Sequence, residues 1–167
     1  LDATLQQIAD LAVSEMADWC VVDVREDGLV HPAAIAHRDP AMVAVVRQIQ
    51  EKYPSDPRNP EVLELLRTLQ PHFLREIPPE LVQQAAKDDE HARLLESLHL
   101  TSYLAVPLMA FGRGVGVMVL ASSNGRQLDE EDVALAREFG VRAGSAVVKA
   151  RMHSQLQTTA RVLQSSL

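Results

Sequence analysis

The stretch "LAVPLMAFGRGVGVMVLAS", Leu104–Ser122, holds one charged residue, Arg113, and sets Gly112, Gly114 and Gly116 at alternate positions. Gly-x-Gly-x-Gly admits two readings. A phosphate-binding loop needs a strand, then the glycines, then a helix whose N-terminus receives the phosphate. Here the glycines lead into Val115, Val117 and Val119, alternating with Gly116, Met118 and Leu120. Branching at Cβ makes valine a poor helix former that suits a pleated strand. The segment therefore reads as strand, tight turn, strand. Gly112 and Gly114 are assigned to the turn, and Gly116 to making room for a helix packed on the sheet.

On the amino-terminal side, "LDATLQQIADLAVSEM" (residues 1–16) places Leu1, Leu5, Ile8, Ala12 and Met16 at three- and four-residue steps, an amphipathic helix. "ADWCVVDVREDG" follows. Its alternation sets Cys20, Val22 and Val24 on one face of a strand and Trp19, Val21 and Asp23 on the other. "EDG" is a turn, and "LVHPAAIAHRD" a second strand, so residues 17–37 read as a hairpin. "DPAMVAVVRQIQEKY" starts a helix with Asp39 as its cap and Pro40 at its first position. "PSDPRNP" is a loop, "EVLELLRTLQ" a short helix and "PHFLREI" a short strand. "PPELVQQAAK" and "DDEHARLLESLHL" are two further helical pieces. From "LDEED" a last helix runs to the end of the chain, about 35–40 residues, beyond ordinary globular length.

At 167 residues, 47% of them hydrophobic, the chain suits one domain with a sizeable core. A net charge of -7 with no basic block argues against nucleic acid or an anionic membrane as partner. The longest apolar run is broken by Gly112 and Arg113, so no segment is expected to span a bilayer. Cys20 is the only cysteine, which rules out an intrachain disulfide and agrees with a reducing, cytoplasmic setting. The chain begins at Leu1 without a methionine and ends at Leu167 inside a helical pattern. The expectation is a domain over residues 1–150 and a connecting helix over 151–167 leading to an output domain in the same, longer protein.

Catalytic constellations are absent from the pattern. The histidines (His31, His37, His72, His91, His99 and His153) make no HExxH pair, and no G-x-S-x-G elbow occurs. Cys20 lies in an apolar strand and reads as a small core hydrophobe. "DDE" (88–90) and "DEED" (129–132) start helical patterns, where carboxylates complement the dipole, and read as caps rather than metal ligands. No catalytic or metal-binding residue is nominated.

An antiparallel sheet offers two faces. The terminal helices are expected on one. Helices within residues 41–98 are expected on the other, leaving a small-molecule cavity walled by Trp19, Val21 and Asp23, with His37, Phe73 and Tyr103 opposite. In the last helix His153, Leu156, Ala160, Leu163 and Leu167 follow 3-4-3-4 steps, a coiled-coil seam about two heptads long. A parallel homodimer through this helix is expected, with Leu5 and Ile8 of the first helix joining Leu156, Ala160, Leu163 and Leu167 in a bundle.

"LHLTSYLAVPLMAFGRGVGVMVLASSNGRQLDEEDVALAREFGVRAGSAV" (98–147) resembles the second half of a GAF domain. The pattern S-x-L-x-VPL, a turn, a glycine and a closing helix is met by Ser102, Leu104, Val106, Pro107, Leu108, Gly116 and Leu128 through Asp132. "ADWCVVDV", "AHRDP" and "LLRTLQPHFLREI" resemble earlier segments of bacterial members, with Leu69 where the family often has glycine, a change expected to alter the mouth of the pocket. The resemblance implies an α+β, GAF/PAS-like fold: a central antiparallel sheet of five to six strands, helices on both faces and a long C-terminal signalling helix. It also implies a sensory role in bacterial signal transduction, with cyclic nucleotide, haem or bilin among the family's ligands. A haem would need His37 or His72, and a bilin a cysteine away from Cys20's early strand, so the residues select no cofactor. "RMHSQLQTTARVLQSSL" (151–167) is similar to the segment joining such domains to sporulation-type serine phosphatases, through Leu163, Gln164, Ser166 and Leu167. A histidine kinase is the other candidate output. Two rivals stand beside the sensor: a ligand-free structural dimerisation module, and a methionine-sulfoxide reductase, whose chemistry needs more cysteines than Cys20.

Overall fold

A computed structural model of the protein describes residues 1–167. The elements are α1 (Asp2–Glu15), β1 (Trp19–Glu26), β2 (Leu29–His37), α2 (Ala41–Lys52), α3 (Pro60–Thr68), β3 (His72–Leu74), α4 (Pro79–Ala85), α5 (Asp89–Glu96), β4 (Leu100–Ala110), β5 (Arg113–Ser123) and α6 (Glu130–Ser165). The five strands make one sheet in the order β2-β1-β5-β4-β3, with every neighbouring pair antiparallel. This is the α+β sheet expected, with five strands.

The glycine-punctuated segment is the β4–β5 hairpin. Its two turn residues, Phe111 and Gly112, both have positive φ (51° and 70°), as a type I′ turn demands. The other two glycines exchange the roles expected of them. Gly114 is not in the turn: a Cβ there would strike Leu66 and Leu69, so it is Gly114 that lets a helix, α3, settle on the sheet. A Cβ on Gly116 would collide with the backbone of β1 at Asp23 and with Leu108, so Gly116 lets two strands approach. Leu69 stands at the C-cap of α3 with φ 59°, the left-handed conformation for which glycine is the usual choice. Its side chain lies over Gly114 and lines neither of the two cavities described below, which corrects the expected effect on the pocket mouth.

Strand alternation divides the core. On one face Cys20, Val22, Leu104, Val106, Leu108, Met118 and Leu120 meet Leu5, Ala9, Ala12 and Met16 from α1, and Ala136, Phe139, Ala143 and Val147 from α6. Two smaller clusters occupy the other face. Trp19 and Ala121 pack with Ile49 and Leu98, and Ala105 and Val117 with Leu65 and Leu66 of α3. Helix α2 is bounded at Ala41, but Pro40 already has helical dihedrals (φ -58°, ψ -25°), and the Asp39 carboxylate caps this end as expected by accepting from the Ala41 amide at 3.1 Å.

Helix α6 opens with a capping box, Asp129 and Asp132 each accepting the other's backbone N–H. Its 36 residues extend about 54 Å at 1.5 Å per residue, and residues 152–167 are exposed. Of the residues expected at a dimer seam, Leu156 and Leu163 are 68% and 62% exposed and Leu167 is fully exposed. Leu5 is wholly buried within its own domain, and Ile8 is partly buried on the same core. Leu5 therefore offers a partner no surface: the three- and four-residue periodicity of α1 serves the internal core.

Candidate functional site

The face of the sheet turned away from α1 and α6 carries a cavity of about 390 Å³. Its floor is Asp23 of β1, Val119 of β5 and Tyr103 of β4; Val30, His31 and Pro32 of β2 form one wall. The roof is the α2–α3 connection, Pro54–Asn59, with Gln50 and Val62 from the flanking helices. Proline and Asx geometry stiffen this roof. Asp56 Oδ1 accepts from the Arg58 amide at 2.9 Å, and Asn59 caps α3 by accepting from Glu61 at 2.9 Å. The roof is tied down at two points. Val30 N–H donates to the Pro57 carbonyl at 3.2 Å, and Lys87 Nζ donates to the Pro54 carbonyl at 2.8 Å. Just before the roof, Tyr53 stacks on His91 with 4.2 Å between centroids and donates its hydroxyl to Asp88, joining α2 to α5.

Asp23 is placed by a register shift. The β1–β2 pairing slips between Val22 and Asp23, so Asp23 stands opposite Pro32 on the outer strand of the sheet. No arginine or lysine lines the cavity. Burial raises the Asp23 carboxyl from 3.8 to about 6. Tyr103 rises to about 12, through burial and then the charges of Glu61 and Asp23. Tyr103 also walls a second, mostly apolar hollow of about 580 Å³ beside α4 and α5, lined by His72, Leu74, Ile77, Leu81 and Leu95 among others.

The residues expected at the cleft divide accordingly. Asp23 and Tyr103 line the cavity together. Trp19 and His37 are cross-strand partners further along the same face, their rings 4.0 Å apart, outside the cavity lining. Val21 lies between them and Asp23, paired with Val119, and does not line it. Phe73 is on the opposite face, packed with the α1 and α6 core, because it pairs with Leu104. In a three-residue strand one step of register decides the face, and the cleft side belongs to His72 and Leu74. The roof is the loop "PSDPRNP" read from the sequence, but its place over the cavity was not read there.

Nowhere do three or more His, Cys, Asp or Glu side chains converge as a metal cluster, and no helix is long and apolar enough to cross a membrane. Cys20 is wholly buried, and burial, with Asp10 and Asp23 adding, raises its thiol far above the ordinary range. Thiolate is the reactive form. Cys20 should therefore resist Ellman's reagent in the native protein for hours and react fully in guanidinium; rapid native labelling would contradict its burial. The motif serine also has a structural task. Ser102 Oγ donates to the Leu74 carbonyl and accepts from the Leu128 amide, both at 3.1 Å, fastening β3 and the start of the last helix to β4.

The GAF domain family model matches residues 1–147. The chain belongs to the GAF domain family. No curated protein matches it in a sequence comparison. Among solved structures it is similar to the GAF domain/HD domain protein from Geobacter sulfurreducens, at 18% identity and TM-score 0.66, covering 90% of this chain and 94% of that one. A domain described as that of a two-component sensor histidine kinase protein from Sinorhizobium meliloti 1021 aligns at 14% identity and TM-score 0.67, covering 94% and 97%. The GAF-B domain of DevS from Mycobacterium smegmatis aligns at 19% identity and TM-score 0.63, covering 93% and 99%. GAF domains are generally regulatory rather than catalytic.

Proposed function

We propose that this domain is the sensory module of a bacterial signal-transduction protein. A small molecule enters the cavity under the Pro54–Asn59 roof, and α6 relays the occupied state to a phosphatase or kinase domain in the same chain, in the cytoplasm. The observation that carries this reading is the cavity itself. Its volume lies in the range of small-molecule sites, and it sets an unpaired carboxylate on an apolar floor. A collapsed structural core would have no reason to keep one. The resemblance to a domain of a sensor histidine kinase protein supports the output end.

A route from cavity to helix is available along β1. Asp23 is two residues from Arg25, whose carbonyl accepts a hydrogen bond from Arg151 of α6, at the point where the helix leaves the domain. A ligand that re-sets β1 would bias how α6 is held, provided it binds the two arrangements with different affinity. Residues 151–167 form the connecting segment. Their exposed Met152, Leu156, Val162 and Leu163 are apolar surface suited to a second copy of the chain in a helical bundle.

Two measurements test the reading. In sedimentation, residues 1–167 should run as a dimer and residues 1–150 as a monomer; equal monomeric masses would remove the seam. Cyclic nucleotides, haem, small acids and amines should be screened by thermal shift, where a true ligand raises Tm with its concentration. Silence across the panel would favour the ligand-free dimerisation module.

A further inference from the structure

We infer that the cavity under the Pro54–Asn59 roof takes a small organic cation, an ammonium or amidinium on a short apolar body, with Asp23 as its counter-ion; this rests on the sensory reading above. The wall carries two carboxylates, Asp23 and Asp56, and no arginine or lysine. Asp56 already accepts the Arg58 amide, whereas Asp23 stands on the floor beside Val119, with Tyr103 one strand further across and no lysine or arginine in the lining to neutralise it. Uncompensated burial of a carboxylate is costly, and a ligand cation relieves that cost where a neutral ligand does not. An anionic ligand such as a cyclic nucleotide would set its phosphate against two like charges with no donor side chain of opposite sign. Tyr103 adds an aromatic side chain to the lining, and Gln50 and Asn59 add polar edges at the roof.

Titration of the same group supports the assignment. The groups facing Asp23 are Tyr103 from β4, His31 from β2 and Asp56 from the roof, with Glu61 of α3 beyond Tyr103. With its carboxyl at about 6, Asp23 is almost wholly ionised at pH 7.5 and roughly one-tenth ionised at pH 5. A cation that needs the ionised form should bind about tenfold more weakly at pH 5. His31 also lines the cavity, so His31→Gln isolates the contribution of Asp23.

The experiment is calorimetric titration with tyramine, agmatine and benzamidine, beside 4-hydroxyphenylacetate and cyclic GMP as anionic probes. At pH 7.5 at least one cation should bind and neither anion should. Binding should weaken about tenfold at pH 5, also in His31→Gln. Asp23→Asn should weaken it tenfold or more while still melting cooperatively. If an anion binds and the cations do not, the cation assignment falls and the sensory reading stands. If a cation binds equally well to Asp23→Asn, Asp23 is not its counter-ion and the assignment falls. If neither class binds, it falls as well, and the wider screen alone decides the sensory reading.

Discussion

Asp23→Asn should make the domain more stable at neutral pH, by about 1–3 kcal/mol and several degrees in Tm. The sign follows from linkage. The carboxyl titrates at about 6 in the folded domain against 3.8 for the free group, so folding favours its protonated form. Asp23 therefore adds stability below pH 3.8, and that contribution is lost as pH rises through 6. Two units of displacement correspond to about 3 kcal/mol, the upper bound for what the neutral amide recovers. The gain should be largest above pH 6.5 and shrink towards zero near pH 4, in urea titrations at matched pH. A loss of stability in the variant at pH 7.5 would mean that the carboxylate has a partner it is shown without. Groups that weaken a fold and are nonetheless kept in a cavity are characteristic of binding sites.

The second large effect falls on the opposite face. Helix α6 lies against β4 through Ala136, Gly140, Ala143, Gly144 and Val147. A Cβ on Gly140 would meet the Pro107 carbonyl oxygen at 2.5 Å, and one on Gly144 would strike the Met109 backbone at its nitrogen and carbonyl. A backbone held in a strand pair, as Pro107 and Met109 are against β5, does not swing aside as a side chain can, so the helix itself must lift. Gly144→Ala should cost about 2–3 kcal/mol net of the improved helix propensity, or roughly 5–10 °C in Tm. Gly144→Leu should prevent docking of the helix. Val141, which is 55% exposed on the same helix, should tolerate alanine within about 0.5 kcal/mol. A neutral Gly144→Ala would mean that α6 rides further from the sheet than described.

These two sites differ in how far the sequence disclosed them. The long helix and its acidic start were legible because capping and continuous helical periodicity are local, and Asp129–Asp132 is a local capping box. The β4–β5 hairpin was legible because alternating valines exclude a helix. What lay between distant segments was not. Gly114 and Gly116 differ only in whether α3 or β1 lies above them, which no window of sequence contains. Phe73 failed for a related reason: its face depends on pairing with Leu104 across a strand too short to show its own period. Asp23 takes the face expected of it because the first residues of β1 alternate, Cys20 and Val22 turning to the α1 and α6 core and Trp19 and Asp23 to the other side. The roof that encloses it is a loop, and its position over Asp23 is a tertiary fact.

Carbon-detected NMR titration of the Asp23 carboxyl is the most direct check on a cavity that buries an unpaired carboxylate on the sensing face. A midpoint near pH 6 is expected in the ligand-free domain. A midpoint at or below 3.8 would show the group solvated or ion-paired, and would contradict both the cavity and the function built on it.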